Sequence, residues 1–291
     1  MVRDLVPHTQ AECLDAARRL VLAGLVSEQE RSEATERARA YGDRSYNAAG
    51  MQYLGGKSRL GGQIVKAILA DLGVDRLGIV ADLCSGAGGV THRLADVSER
   101  VIAVEAHPGL VALHRAAQQG WTPPEHVSEE EYQRLKSAND RADPLTAFAE
   151  FGCSFAGKSW GGYARTKAGN PAARNYAMNA RRAVLKDTRA NVEHLAADAL
   201  ACEVAAAVVY CDPPYEGTTG YDAVAVSALG VWWRRLAALA AGGAACYLSE
   251  YAETPPDGIT ARLVWSAPTR EGLRPQHARP ERLWRVLPSP A

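Results

Sequence analysis

Two strand patterns divided by a glycine-rich turn constrain this chain more than any other feature. Residues 77–83, "LGIVADL", are a nearly unbroken apolar run; "CSGAGG" follows, and residues 89–97 then carry helical spacing. A second apolar run at 101–105 ends in Glu105, and residues 108–119 read as a second helix, with Pro108 suited to its first turn and Gly120 to its end. Strand and helix in strict alternation imply a parallel sheet, since parallel neighbours must be joined by a crossover that packs on a sheet face. The expected fold class is therefore α/β, Rossmann-like, with helices on both faces.

The alternation resumes with a strand at 205–211, a helix at 231–241 and a strand at 244–249. Between the two halves, residues 121–194 read as an insertion whose charge is segregated. Residues 121–150 hold seven acids and three bases, whereas 151–189 hold eight bases and one acid. At the other end, residues 11–41 read as a helical hairpin, with Ser27 and Glu30 as a capping box and Gly42 as a stop. The expected division is 1–48 as a helical extension, 49–120 and 195–291 as two parts of one α/β domain, and 121–194 as the insertion between them.

Composition narrows the partners. With 33 basic and 33 acidic residues the net charge is zero, so a nucleic-acid surface has to be local. Six cysteines stand singly, without a C-x-x-C pair, which points to a reduced, cytoplasmic protein with no structural zinc. Neither a signal pattern nor a membrane-length apolar run is present, and no membrane partner is expected.

Three motifs could carry chemistry. In the glycine turn, Gly86 and Gly88 let the backbone approach a cofactor at a helix N-terminus, and Glu105, ending the next strand, can accept both ribose hydroxyls of a nucleoside. Thr91 stands where a dinucleotide fold wants a third small residue, which weakens an NAD reading. In "VVYCDPPYEG", the two prolines remove N–H donors and stiffen the exit from a strand. Asp212 and the Pro213 carbonyl are then fixed acceptors for the two hydrogens of an exocyclic amine, with Tyr215 as a flat face for a base. The third motif is "YLGGKS", Tyr53 to Ser58, where Lys57 at the entry to a helix expected over 58–72 could meet a carboxylate.

Tyr53-Leu54-Gly55-Gly56-Lys57, the glycine turn at 82–89 and Asp212-Pro213-Pro214-Tyr215, in that order, resemble the Dam-like, alpha-group adenine-N6 DNA methyltransferases. The similarity covers roughly residues 50–285, and "FGCSFAGKSWGGYAR" and "SEYAETPPDG" look like bacteriophage members. The resemblance implies a class I methyltransferase sheet with a target-recognition region in the insertion. It also implies S-adenosylmethionine as cofactor, held by Tyr53, Lys57, Cys84, Gly86, Gly88, Glu105, Asp198 and Asp212, with Asp198 on the adenine. Asp212, Pro213, Pro214 and Tyr215 would be catalytic. Members usually carry an aromatic at the position of Cys84, a departure that bears on cofactor packing. Residues 1–48 match nothing in the family motifs, and their helices could serve as an oligomer interface.

A base in a duplex must be flipped out to reach such a site. The basic stretch of the insertion, with Lys158, Arg165, Lys167, Arg174, Arg181 and Arg182 interleaved with aromatics, is the expected contact to double-stranded DNA. No metal is needed for this chemistry. Two alternatives keep part of the reading: an amine methyltransferase acting on cytosine N4 or on RNA, and an inactive cofactor-binding recognition subunit.

Overall fold

A computed structural model describes residues 51–53, 55–165, 176–186, 188–214, 230–267 and 280–288. The expected N-terminal hairpin, Leu54, Lys167, Arg174 and Tyr215 lie outside them. The core is a seven-stranded sheet in the order β3-β2-β1-β4-β5-β7-β6. In chain order the strands are β1 (Leu77–Leu83), β2 (Ser98–Glu105), β3 (Val192–Ala196), β4 (Val208–Cys211), β5 (Ala245–Glu250), β6 (Ala261–Ser266) and β7 (Arg282–Val286). Strands β1 to β5 pair in parallel, and β7 runs antiparallel between β5 and β6. This is the Rossmann-like α/β sheet expected from the alternation.

The central strands are apolar throughout because both faces are covered. Alternate residues turn to opposite sides. Val80, Val208, Tyr210 and Tyr247 face one core with α1 (Gly61–Leu72) and α2 (Thr91–Val97). Ala81, Val209, Cys211, Cys246 and Leu248 face the other, with α7 (Gly230–Ala241), whose Trp232, Trp233 and Leu236 are buried there. In α1 the buried set Ile64, Val65, Ile68 and Leu69 forms one stripe, and Gly73, at a φ of 67°, closes the helix with its N–H on the Ala70 carbonyl.

Strand β2 leads into α3 (Pro108–Gln118), where Pro108 is the first residue and the His107 ring caps the Leu110 N–H. The inserted segment then supplies α4 (Glu129–Ala138), the short α5 (Pro144–Ala147), a π-turn at Phe148–Gly152, a 3₁₀ turn at Phe155–Gly157 and α6 (Tyr176–Val184). These pack on α3 in an apolar cluster of their own that includes Leu110, Tyr132, Phe148, Phe151 and Ala180, and reaches Met51 and Ala87. Four elements differ from the expected pattern. Strand β3 begins at Val192, ahead of the segment's expected end at 194. Strands β6 and β7 close the sheet where no strand is expected. The first helix starts at Gly61 instead of residue 58, because Leu60 and Gly61 both turn back onto the Lys57 carbonyl. No described helix is long and apolar enough to cross a membrane.

Candidate active site

Parallel strands all end at one edge, so the expected motifs meet there without further design. The order β2-β1-β4-β5 places the reversal of strand order between β1 and β4. In open α/β sheets such a crevice is where ligands bind. The glycine turn leaves β1 on one side of it, and Asp212-Pro213-Pro214 leaves β4 on the other, pinned by the Asp212 N–H on the Leu83 carbonyl at 3.3 Å.

The turn has left-handed backbone at Cys84, Gly86 and Gly88, with φ of 64°, 53° and 77°. A side chain on Gly88 would put a carbon 2.4 Å from the buried His92 ring, and one on Gly86 would meet the Tyr53 ring at 3.0 Å. Tyr53 therefore lies over Gly86. The chain at Ser58 crosses Gly89 so closely that a methyl group there would sit 2.8 Å from the Ser58 nitrogen. This close approach carries the Tyr53 to Lys57 motif onto the glycine turn.

Glu105, at the end of β2, is buried. Its two carboxylate oxygens accept the Gly86 N–H at 2.7 Å and the His107 N–H at 2.8 Å. Burial raises its pKa, partly offset by these two bonds. His114 on α3 stands 3.3 Å from the Gly86 carbonyl, so Gly86 is held through both its N–H and its carbonyl. Asp198 lies just beyond β3 at the same edge, exposed, with one oxygen on the Leu200 N–H at 2.9 Å. Cys84 is partly buried, and a hydrogen bond with Cys211, together with burial, lifts its thiol well above the usual range.

Lys57 meets a carboxylate, as its place in the sequence suggested, and that carboxylate is Asp212. Lys57 Nζ is 2.8 Å from Asp212 Oδ1, donates to the Gly55 carbonyl at 3.2 Å, and lies 3.6 Å from Glu281 Oε2. The side chains are 7%, 15% and 6% exposed for Lys57, Asp212 and Glu281, so water screens them little. Burial alone would lower the lysine pKa; Asp212 and Glu281 more than reverse this and keep the ammonium charged.

Sequence reasoning missed several groups around this centre. Asp82 is buried beneath the turn, accepts the Thr91 hydroxyl at 2.6 Å, and is pushed up to about 7, chiefly by burial. Glu250, raised by burial, ends β5 and holds the Tyr251 N–H at 2.6 Å. Glu281 precedes β7 in a stretch, "PERLWRV", that gives no sign of a site. In the insertion, Glu150 is fully buried in the π-turn, takes the Ser159 hydroxyl at 2.7 Å and sits 3.3 Å from the His107 ring. Hydrogen bonds from His107 and Ser159 outweigh its burial and hold the carboxyl low. That links the "FAGKSW" loop to the residue whose backbone supports Glu105.

The basic residues of the insertion are not equivalent. Lys158 and Arg182 are exposed. Arg165 is exposed but forks onto Glu129, and Arg181 turns inward to the Pro123 carbonyl at 2.6 Å, near Glu125. The segregated acidic and basic blocks thus partly neutralise each other. Among the described residues no cluster of three or more potential metal ligands occurs.

Solved structures similar to the chain include yhhF of Escherichia coli, named as a candidate methyltransferase (13% identity, 78% of this chain and 84% of that one, TM-score 0.34). Others are HI0767 of Haemophilus influenzae, named as a candidate methylase (12%, 78% and 98%, 0.33), and a DhpI complex with SAH (14%, 92% and 83%, 0.29). No protein-family model and no curated protein matches the chain.

Proposed function

We propose that the chain is an S-adenosylmethionine-dependent methyltransferase acting on the N6 amine of adenine in DNA. The observation that carries this reading is Asp212, a nearly buried carboxylate on a proline-stiffened strand end, opposite the glycine turn and oriented by Lys57. The residues fit the cofactor: the left-handed glycine turn presents bare backbone at the strand ends beside the Tyr53 ring, and Glu105 is a fixed carboxylate with lone pairs to spare. Tyr53, Gly86, Gly88 and Glu105 would hold it, with Asp198 toward its adenine and Cys84 along the wall. When bound, it would supply a sulfonium methyl that the amine nitrogen attacks, the carbon–sulfur electron pair returning to sulfur and the methylated nitrogen then losing one proton to solvent.

The chain's own residues deal with the weak nucleophile. An aromatic amine has its lone pair delocalised into the ring. Asp212 and the Pro213 carbonyl each accept one of its hydrogens, which favours a tetrahedral nitrogen with its lone pair free. Pro214 keeps the exit rigid, so both acceptors are in place before the substrate arrives. Lys57, fixed on Asp212 Oδ1, prevents the carboxylate from rotating. The surface that would receive duplex DNA includes Lys158 and Arg182 on the insertion, with Arg165, Lys167, Arg174 and Arg181 as further basic positions and Tyr215 as the stacking face. Extruding the base costs a few kcal/mol.

The test is incubation with labelled S-adenosylmethionine and mixed-sequence duplex DNA, followed by nucleoside analysis. N6-methyl-2′-deoxyadenosine as the product supports the reading; labelled N4-methyl-2′-deoxycytidine, or label in RNA alone, refutes it. Asp212→Ala should abolish transfer while S-adenosylhomocysteine still binds, and near-wild-type turnover in that variant would exclude Asp212 from the chemistry.

A further inference from the structure

Glu281 is a buried carboxylate that the amine chemistry above does not use, yet it stands in the same ionic centre as Asp212. Its backbone is fastened on two sides. The Ala267 N–H, past the end of β6, donates to its carbonyl at 2.7 Å. The next residue, Arg282, pairs with Glu250 across β5 and β7 and donates to the Tyr251 carbonyl at 2.7 Å. The side chain is thus delivered to Lys57 by sheet elements, which place groups more reproducibly than loops do.

An ammonium has three hydrogens. At Lys57 the Gly55 carbonyl takes one and Asp212 Oδ1 another, while Glu281 Oε2 lies 3.6 Å from the nitrogen. Two carboxylates therefore compete for one cation. The division matters because a carboxylate offers a limited set of lone pairs, and every one engaged by Lys57 is withdrawn from a substrate amine.

We propose that Glu281 is a positioning residue for methyl transfer: it shares the Lys57 ammonium with Asp212, so that the Asp212 carboxylate is oriented by the lysine yet keeps an acceptor edge for the target amine. This rests on the methyltransferase reading above. Without the Glu281 charge, Lys57 swings wholly onto Asp212 and turns that edge away.

The experiment compares wild type, Glu281→Gln, Glu281→Asp, Lys57→Met and the Lys57→Met/Glu281→Gln pair. It measures single-turnover methylation of duplex DNA and S-adenosylhomocysteine affinity by calorimetry. Glu281→Gln should slow transfer about 10- to 100-fold, the scale on which small misplacement acts, with affinity for S-adenosylhomocysteine within about twofold. Glu281→Asp, which keeps the charge, should be intermediate. On the Lys57→Met background the Glu281→Gln change should alter the rate by no more than about twofold, since there is no longer a cation to divide. A wild-type rate in Glu281→Gln, or effects of the two substitutions that multiply, would overturn the inference, as would lower thermal stability with an unchanged rate. If Glu281→Gln does not fold, a wild-type rate in Glu281→Asp overturns it equally. A wild-type chain that binds S-adenosylhomocysteine but methylates no nucleobase refutes the methyltransferase reading itself, and this inference with it.

Discussion

Replacing Asp82 by asparagine should make the protein more stable at pH 8 than the wild type, and the gain should shrink as the pH falls. Asp82 is 1% exposed, and burial lifts its pKa from an ordinary 3.8 to about 7. Between those two values the unfolded chain has already lost this proton and the folded chain still holds it. The folded state then binds more protons, so stability falls as the pH rises. The contribution is fully present below about pH 4 and is lost through about pH 7. A displacement of about three pH units corresponds to roughly 4 kcal/mol in total, of which about 3 kcal/mol falls between pH 5 and 8. No discount for solvent screening applies to so buried a group. Asparagine is neutral throughout and can still accept the Thr91 hydroxyl that Asp82 now accepts at 2.6 Å. The assay is urea unfolding of both proteins at pH 5, 6, 7 and 8. Taking the difference between them removes the titration of every other carboxylate. A difference that stays flat across that range would show that Asp82 is ionised in the folded protein at all four pH values, and the account of its burial would be wrong.

Glu105→Gln should weaken S-adenosylhomocysteine binding roughly 10- to 100-fold by calorimetry, the cost of losing charge-assisted hydrogen bonds; unchanged affinity would remove Glu105 from the ribose. Neutralising Lys158 and Arg182 together should lower the log–log salt slope of duplex affinity by about 0.9 for each phosphate that the protein no longer neutralises, measured by fluorescence anisotropy across a salt series. Superimposable slopes would take these two residues off the DNA surface.

The parts of the molecule that were legible in the sequence are those fixed by local pattern. Apolar runs at β1, β2, β4 and β5 are buried on both faces, so each reads as a strand without knowledge of its neighbours. The glycine turn and the Asp212-Pro213-Pro214 exit punctuate two of them at the same edge. Strand β6, "ARLVWS", lies outermost in the sheet with Leu263 46% exposed, and its composition reflects solvent as much as core. Strand β7 exists because β5 and β6 bracket it, a long-range fact that no window of its own sequence contains. The insertion shows the same limit. Its split into acidic and basic blocks is plain in the sequence, but the pairing of Arg165 with Glu129 and of Arg181 with the 123–125 stretch is settled only by folding.

The individual roles at the site were harder to see for a related reason. Parallel topology brings Asp82, Glu105, Asp212 and Glu250 to the ends of four adjoining strands, and the antiparallel β7 begins at that edge and adds Glu281. In sequence Glu105 and Asp212 stand out by the motifs they end or open, whereas Asp82, Glu250 and Glu281 are simply acids beside apolar runs. They differ in what the rest of the chain offers them: a hydroxyl for Asp82, two backbone N–H groups for Glu105, the Tyr251 N–H for Glu250, and Lys57 between Asp212 and Glu281. Burial therefore raises Asp82, Glu105 and Glu250, while the lysine meets the two acids nearest the proposed chemistry. An edge that gathers this much buried acid is electrostatically suited to a cationic ligand, because a positive charge there relieves the cost of ionising each carboxylate. A sulfonium cofactor satisfies that requirement, and a neutral nucleoside does not.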